Sequence, residues 1–202
     1  MKKRFLLVPL ALSSIFVLTG CGTSSKIFNQ ARENVKKVED TIESTKENTK
    51  KDDSQSAKKI SVGDTVKTRN FEFTLRKVEL SYDVNPENPS TFYLHYPAPS
   101  GKVYIHVDAD IKNTQKQDLE ADEIYKVEAN YNNGYKYNGS AIVGKDNRSS
   151  FTYASITSIA PLDTLDVHNL VECPEEVETD TNSSLYIVIK MSDGSSYKYV
   201  IR

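Results

Sequence analysis

An apolar alternation over residues 103–111 constrains the fold most strongly. Valine, isoleucine or alanine occupies every second position, and the positions between them hold Tyr104, His106, Asp108 and Asp110. Successive side chains of a β-strand point to opposite faces, whereas an amphipathic helix repeats its apolar positions every three to four residues. The segment is therefore predicted to be a strand with one face in an apolar core.

The same period of two recurs along the second half of the chain. Residues 71–80 alternate in this way, and a slip of one position at Arg76-Lys77 predicts a β-bulge. Asn133-Gly134 and Asp193-Gly194 are hairpin signals. Further strands are predicted at residues 125–131, 135–143, 151–159, 164–171, 185–191 and 196–201. Short strands joined by turns, with no strong helix pattern, predict an all-β antiparallel β-sandwich.

Composition places this sandwich in residues 60–202. The segment holds all twelve tyrosines and is long enough for one domain. It carries 21 acidic and 14 basic residues, a net charge of −7. Nucleic-acid binding depends mainly on basic surfaces that neutralise phosphates, so we expect no nucleic-acid partner.

The N-terminus has the order of a bacterial lipoprotein signal. Three basic residues follow Met1, residues 5–18 are apolar, and Leu18-Thr19-Gly20-Cys21 resembles a lipobox. This pattern predicts a signal peptide at residues 1–20 and a diacylglycerol anchor on Cys21, which would hold the protein on the extracytoplasmic face of the cell membrane. The alternatives are a plain secretory signal or a single-span anchor.

Residues 21–59 are predicted to form a partly helical, polar stalk. Five apolar residues at spacings of three and four lie on one helix face: Phe28, Ala31, Val35, Val38 and Ile42. Two heptads are few for a coiled coil, so a solvated stalk is favoured over pairing with a second helix, by which the chain would self-associate. Residues 51–59 are expected to be a flexible linker.

Several segments of the domain resemble a known family. Residues 61–66, 71–78, 103–113, 161–165 and 171–177 are similar, in order, to the telokin-like, immunoglobulin-type domain of unknown function found on Gram-positive lipoproteins. The resemblance implies an immunoglobulin-like β-sandwich and supplies no catalytic residues. The chain departs from the family pattern at residues 83–101, an insertion that holds four of the seven prolines.

Aromatic residues supply the candidate binding surfaces. The insertion contains Phe92, Tyr93, His95 and Tyr96. These residues are predicted either to bind a ligand or to fold back and pack over the sandwich. Further tyrosines, Tyr131, Tyr135 and Tyr137, gather around the Asn133-Gly134 turn. Together with Tyr93 and Tyr96 they are candidates to contact a surface protein or a wall glycan. Cross-strand packing explains the tyrosines equally well.

The sequence gives weaker support for metal sites. His106, Asp108 and Asp110 share one strand face, but neighbours on that face lie about 6.5–7 Å apart, so a solvated face is favoured over a metal site. Asp118, Glu120, Asp122 and Glu123 lack EF-hand spacing and are expected to form a solvated acidic loop. Cys173 is expected to be a small buried residue.

Motifs of hydrolases, zinc proteases and phosphate loops are missing from the sequence, so we predict a non-enzyme without a cofactor. The favoured function is a noncatalytic interaction module on a lipid anchor. The alternative is a lipoprotein that binds wall glycan or a solute.

Overall fold

The computed structural model describes residues 56–202, and it contains fourteen strands in that range. The predicted signal peptide, Cys21 and nearly all of the predicted stalk lie outside the described residues. The strands are β1 (Lys58–Lys59), β2 (Thr65–Lys67), β3 (Phe71–Ser81), β4 (Asp83–Val84), β5 (Tyr96–Pro97), β6 (Lys102–Asn113), β7 (Leu119–Glu120), β8 (Tyr125–Tyr131), β9 (Tyr135–Lys145), β10 (Ser150–Tyr153), β11 (Ser158–Ile159), β12 (Thr164–Pro174), β13 (Leu185–Met191) and β14 (Ser196–Val200).

Helical structure in this range is short. Apart from the single helical residue Ser56, it consists of a four-residue helix α1 (Glu176–Thr179) and 3-10 turns at Ala121–Glu123 and Ala154–Ile156. None of the helical segments described is long and apolar enough to cross a membrane.

Ten strands form one curled sheet whose two halves are the layers of a sandwich. Their order is β1-β14-β13-β8-β9-β12-β6-β3-β2, and β10 pairs with β9. Strand β9 joins the halves, because its residues up to Asn138 pair with β8 while those from Gly139 pair with β12. Neighbouring strands run antiparallel except for the parallel pair β1–β14. The all-β sandwich prediction is confirmed.

The main core lies between the two layers. All five apolar residues of the alternation in β6 are fully buried, as are Phe71, Phe73 and Leu75 of β3. From the other layer, β13 contributes Leu185, Ile187 and Ile189. Tyr125 of β8 meets Phe73 edge to face, with ring centroids 5.1 Å apart. The period of two therefore identified the core-facing residues correctly.

The bulge in β3 is also confirmed. Ala109 pairs with Leu75 and the adjacent Asp108 pairs with Lys77, so Arg76 has no partner residue in β6. The extra residue lets the apolar residues before and after it face the same core. The half of the sheet that contains β12, β6, β3 and β2 is here called the second layer. The Arg76 side chain reaches the outer face of this layer, where it meets acidic residues.

One local prediction differs from the structure, and one turn agrees with it. Residues 151–159 are not one strand: β10 ends at Tyr153, a 3-10 turn follows, and β11 pairs with β7 instead of β9. The β8–β9 turn consists of residues 132–134, as the predicted strand bounds imply, with φ of 48° at Asn132 and 53° at Asn133, and Tyr131 stands opposite Tyr135. Asparagine tolerates positive φ, so the turn does not need Gly134 for it.

The insertion folds across the outer face of the second layer. Its β4–β5 ribbon brings Val84 and Tyr96 onto Ile142, Phe151 and Leu170. Ile142 and Leu170 point away from the main core, because their chain neighbours Val143 and Val171 point into it. This second apolar cluster gives the sandwich a covered face where open antiparallel sheets are usually solvated.

Candidate functional site

Four polar residues lie beneath this cover. His106 and Asp108 project from β6, and Asp166 and His168 project from the same face of the neighbouring strand β12. His106 is 2% exposed, and Asp108 and His168 are each 5% exposed. The predicted shared strand face is therefore present, but the expectation that it is solvated was wrong, because the insertion and β10 cover it.

The two histidines are the centre of a continuous chain of hydrogen-bond contacts. Nδ1 of His106 lies 3.0 Å from Oε1 of Glu79, and Nε2 of His106 lies 2.9 Å from Nδ1 of His168. Nε2 of His168 lies 3.0 Å from Oδ2 of Asp166. The chain thus runs from one carboxylate through two imidazoles to a second carboxylate.

The titration of these groups follows from their burial and their contacts. Desolvation lowers the pKa of His106, although the hydrogen bond to Glu79 opposes this shift. The same hydrogen bond brings the pKa of Glu79 below its ordinary value. Burial alone would raise the pKa of Asp166, but the hydrogen bond to His168 and the charge of Arg148 lower it overall. Both carboxyl groups are therefore anionic at neutral pH.

A second cluster, of ions, attaches the insertion to the sheet. Nη1 of Arg148 lies 2.9 Å from Oε2 of Glu87, which belongs to the insertion, and 3.5 Å from Oδ2 of Asp108. Nη2 of Arg148 donates to Asp110. Arg76 reaches the same Glu87 oxygen at 3.2 Å. Because both arginines bind Glu87 and sheet aspartates together, they connect the insertion with the outer face.

The turn between β9 and β10 places Arg148 in this cluster. Three consecutive residues have left-handed backbone conformations: φ is 49° at Asp146, 58° at Asn147 and 64° at Arg148. Aspartate and asparagine tolerate this region, but for arginine it is strained, and such strain persists where surrounding contacts compensate for it. The ion pairs of the Arg148 guanidinium are that compensation.

Backbone hydrogen bonds fix the insertion on β10 and on the turn before it. The Asn88 and Ser90 amides donate to the carbonyls of Arg148 and Ser149. The Leu94 amide donates to Oγ of Ser150 at 2.9 Å. Between these attachments the chain exposes residues 92–94, here called the loop tip: Phe92 is 91% exposed, Tyr93 40% and Leu94 42%.

The structure separates the five candidate tyrosines. Tyr93 is at the loop tip and Tyr135 is 61% exposed on the β8–β9 hairpin. Tyr96 packs on Phe151 with ring centroids 5.7 Å apart, and Tyr137 packs against the main core. Tyr131 is 4% exposed, so its proposed place on a binding surface was wrong. Its hydroxyl instead donates to Asp180 at 2.6 Å, close to helix α1.

The structure also places the predicted acidic loop and Cys173. Asp118, Glu120, Asp122 and Glu123 are all exposed, around β7 and the 3-10 turn after it. Cys173 is fully buried, and burial raises the pKa of its thiol to about 12. Within residues 56–202, no set of three or more histidine, cysteine, aspartate or glutamate residues is arranged to hold a metal ion.

The comparisons give one informative match. No family model matches the chain, and no curated protein matches it. An uncharacterized β-sandwich protein from Clostridium difficile 630 is 42% identical, with a TM-score of 0.68, over 72% of this chain and 95% of that one. A conserved hypothetical protein from Bacillus anthracis is 19% identical over 70% of this chain and 94% of that one, with a TM-score of 0.46. On the identity and coverage of the first match, the chain belongs to the same family of β-sandwich proteins as the Clostridium difficile protein.

Proposed function

We propose that this chain is a lipid-anchored, extracytoplasmic protein that displays a noncatalytic, immunoglobulin-like domain for binding a surface protein. On this proposal the domain is related to the telokin-like domains that its sequence resembles, and Cys21 carries the diacylglycerol. The observation that carries the binding function is the loop tip, where Phe92 is 91% exposed on a loop attached to the sheet at several points.

The loop tip has the properties of a binding anchor. Residues 88–94 contain no charged side chain, so the contact that they offer is apolar and aromatic. Aromatic side chains are frequent among the residues that dominate binding energy. A loop that is already fixed loses less conformational entropy on binding than a free one. The ion cluster and the hydrogen bonds to β10 therefore favour recognition by an apolar pocket of a partner protein.

The anchor is tested by lipid labelling in the native host. We expect the N-terminal peptide of the mature protein to begin at Cys21 and to carry diacylglycerol, as measured by mass spectrometry. A clickable fatty acid should label the wild type and the Cys173→Ala variant and should fail to label Cys21→Ala. Equal labelling of the two variants would exclude Cys21 as the lipid-bearing residue.

The binding surface is tested by site-specific photo-crosslinking in intact cells. A photoreactive residue at position 92 should give a defined protein adduct. The matched control is position 200, where Val200 is 50% exposed on β14, in the other layer of the sandwich. Adducts that are identical from both positions, or none from position 92, would contradict a surface centred on the loop tip.

A wall glycan is the second candidate ligand, and the exposure of Tyr135 is the observation that favours it. Its ring lies 6.0 Å from that of Tyr131 and is tilted by 36°, so a single open aromatic face is available there for stacking on a sugar. Binding to a glycan array that disappears in Tyr135→Ala, and persists in Phe92→Ala, would favour this candidate over a protein partner.

A further inference from the structure

The contacts of the buried histidine pair define how many ring protons it holds. Three contacts of 2.9–3.0 Å join Glu79, His106, His168 and Asp166 in a row. Each contact needs one proton between its two heavy atoms, and both carboxylates are anionic. Two neutral imidazoles supply two protons, which would leave one contact between two acceptors. The geometry therefore requires three ring protons and one positive charge shared by the pair.

The charged groups around the pair act on a second positive charge in opposite directions: the carboxylates attract it, whereas the desolvation of His106 and the neighbouring arginines oppose it. Glu79 and Asp166 occupy the ends of the chain, and Asp108 contributes a carboxylate 3.6 Å from Nδ1 of His168. Against these, Arg148 and Arg76 bring two positive charges to the same Asp108. The remaining carboxylates, those of Asp110 and Glu87, are already paired with the arginines.

A fourth ring proton breaks the central contact. It would place an N–H group on both Nε2 of His106 and Nδ1 of His168, which are 2.9 Å apart. Among the described residues, Oδ1 of Asp108 is buried without a hydrogen-bond partner, and it lies beside His168. His168 would therefore turn its Nδ1–H toward Asp108. The Nε2–H group of the His106 imidazolium would then lose its acceptor, while Nδ1 of His106 keeps its contact with Glu79.

This rearrangement reaches the insertion through packed rings. The Phe151 ring lies edge-on to His168 with centroids 5.1 Å apart, and Tyr96 of the insertion packs on Phe151. Turning His168 changes the surface against which Phe151 rests, and Phe151 in turn supports Tyr96. It also moves positive charge toward Asp108, which then attracts Arg148 less strongly.

We propose that the His106–His168 pair is an acid-sensitive latch for the insertion. When the pair carries one shared positive charge, the insertion is docked on the sheet, and when the pair carries two, the insertion is released. The role of the latch in regulating partner binding rests on the proposed function. The latch itself concerns the docking of the insertion on the sheet and can be tested without any partner.

The direction of the pH dependence follows from the lowered pKa of His106. An ordinary histidine has a pKa near 6.5, and burial lowers that of His106 below this value. The docked state therefore excludes the fourth proton, while the released state accepts it. Docking is stable above pH 6.5 and weakens as the pH falls through the lowered value.

Hydrogen exchange of the purified full-length protein tests the latch. Corrected for intrinsic rates, protection of the Asn88, Ser90 and Leu94 amides should fall about tenfold or more between about pH 7.5 and pH 5. The amides of Ile187 and Ile189 in β13 should keep their protection. His106→Gln should remove the pH dependence, because glutamine cannot gain a proton.

His95→Gln is the matched control. His95 lies in the insertion itself, is exposed, and contacts Oδ1 of Asp83 at 2.7 Å, so it is the other histidine that could detach the loop. The latch requires acid release to persist in His95→Gln. Loss of release in this variant, or its persistence in His106→Gln, would overturn the proposal.

Ring nitrogen spectra of the wild type give a second measurement that needs no substitution. At about pH 7.5 they should show three protonated nitrogens among the four of the pair, and four after acidification. Two neutral rings at neutral pH would refute the latch. Neither measurement involves a partner, so a failed latch leaves the photo-crosslinking result unaffected, and the reverse also holds.

Discussion

Gly144 gives Asp166 the space to reach His168. A Cβ atom at position 144 would lie 1.7 Å from Oδ2 of Asp166 and 2.3 Å from its Cγ. The carboxylate oxygen that would meet the Cβ atom is the one that contacts His168. We therefore expect Gly144→Ala to displace Asp166 and to lower the free energy of unfolding by about 2–3 kcal/mol, as measured by urea denaturation.

Gly134→Ala is the control for this prediction. Its nearest atom would be the carbonyl oxygen of Asn132 at 4.0 Å, and its φ is not positive. It should change the free energy of unfolding by less than about 0.5 kcal/mol. Equal losses of stability at the two glycines would show that the contact with Asp166 does not cause the destabilisation by Gly144→Ala.

Arg148 and Arg76 contact the same acidic residues but differ in burial. The side chain of Arg148 is 16% exposed and that of Arg76 is 33% exposed, and Arg148 lies closer to Asp108, whose side chain is 6% exposed. Arg148→Met should lower the free energy of unfolding by about 3 kcal/mol, because it leaves a buried carboxylate without its nearest cation. Arg76→Met should cost about 1 kcal/mol or less. A larger loss from Arg76→Met in urea denaturation would contradict this ranking.

At the scale of elements, the sequence predicted what depends on periodicity. The bounds of β8 and β13 were predicted without error, and the bulge in β3 was predicted from a single slip at Arg76-Lys77. The histidine pair was not predicted, because it depends on which residues of β6 and β12 stand side by side, and register is a long-range property. Folding back of the insertion over the sandwich was one of the two predicted alternatives. The face that it covers was not predicted, because the insertion has no periodicity that shows which side of it faces the sheet.

The strand β10 connects the insertion to the sheet, and its two aromatic residues differ strongly in burial. Phe151 is 4% exposed, and it contacts both Tyr96 and His168. Tyr153, two positions later, is 65% exposed. Phe151→Ala should therefore lower the free energy of unfolding by about 3–4 kcal/mol through loss of buried surface and creation of a cavity.

Tyr153→Ala is its matched control, since it removes another ring from the same strand. It should cost less than about 0.5 kcal/mol. Fluorescence of a hydrophobic dye should rise with Phe151→Ala alone, because the second apolar cluster is then open to solvent. If both variants unfold at the same urea concentration, the outer cover contributes little to the stability of the domain.

For the whole molecule, several groups share one direction of pH dependence. The pKa values of His106, Glu79 and Asp166 all lie below their ordinary values of 6.5, 4.5 and 3.8. At pH values below each ordinary pKa the unfolded chain binds more protons than the folded one, so acid favours unfolding. Half-buried Asp180 adds to this effect, since hydrogen bonds from Ser183 and Tyr131 lower the pKa of its carboxyl group.

These shifts predict a loss of stability in two separate pH ranges. The first range begins below pH 6.5, where histidine in the unfolded chain binds a proton that buried His106 does not bind. The second begins below pH 4.5, where carboxylates of the unfolded chain are protonated before those of the folded one. Urea midpoints measured across this interval should fall in two steps. His106→Gln should remove the upper step and keep the lower one, whereas His95→Gln should keep both. A single step below pH 4.5 in the wild type would mean that the buried histidines do not link the stability of the sandwich to pH, and that its acid sensitivity comes from carboxylates alone.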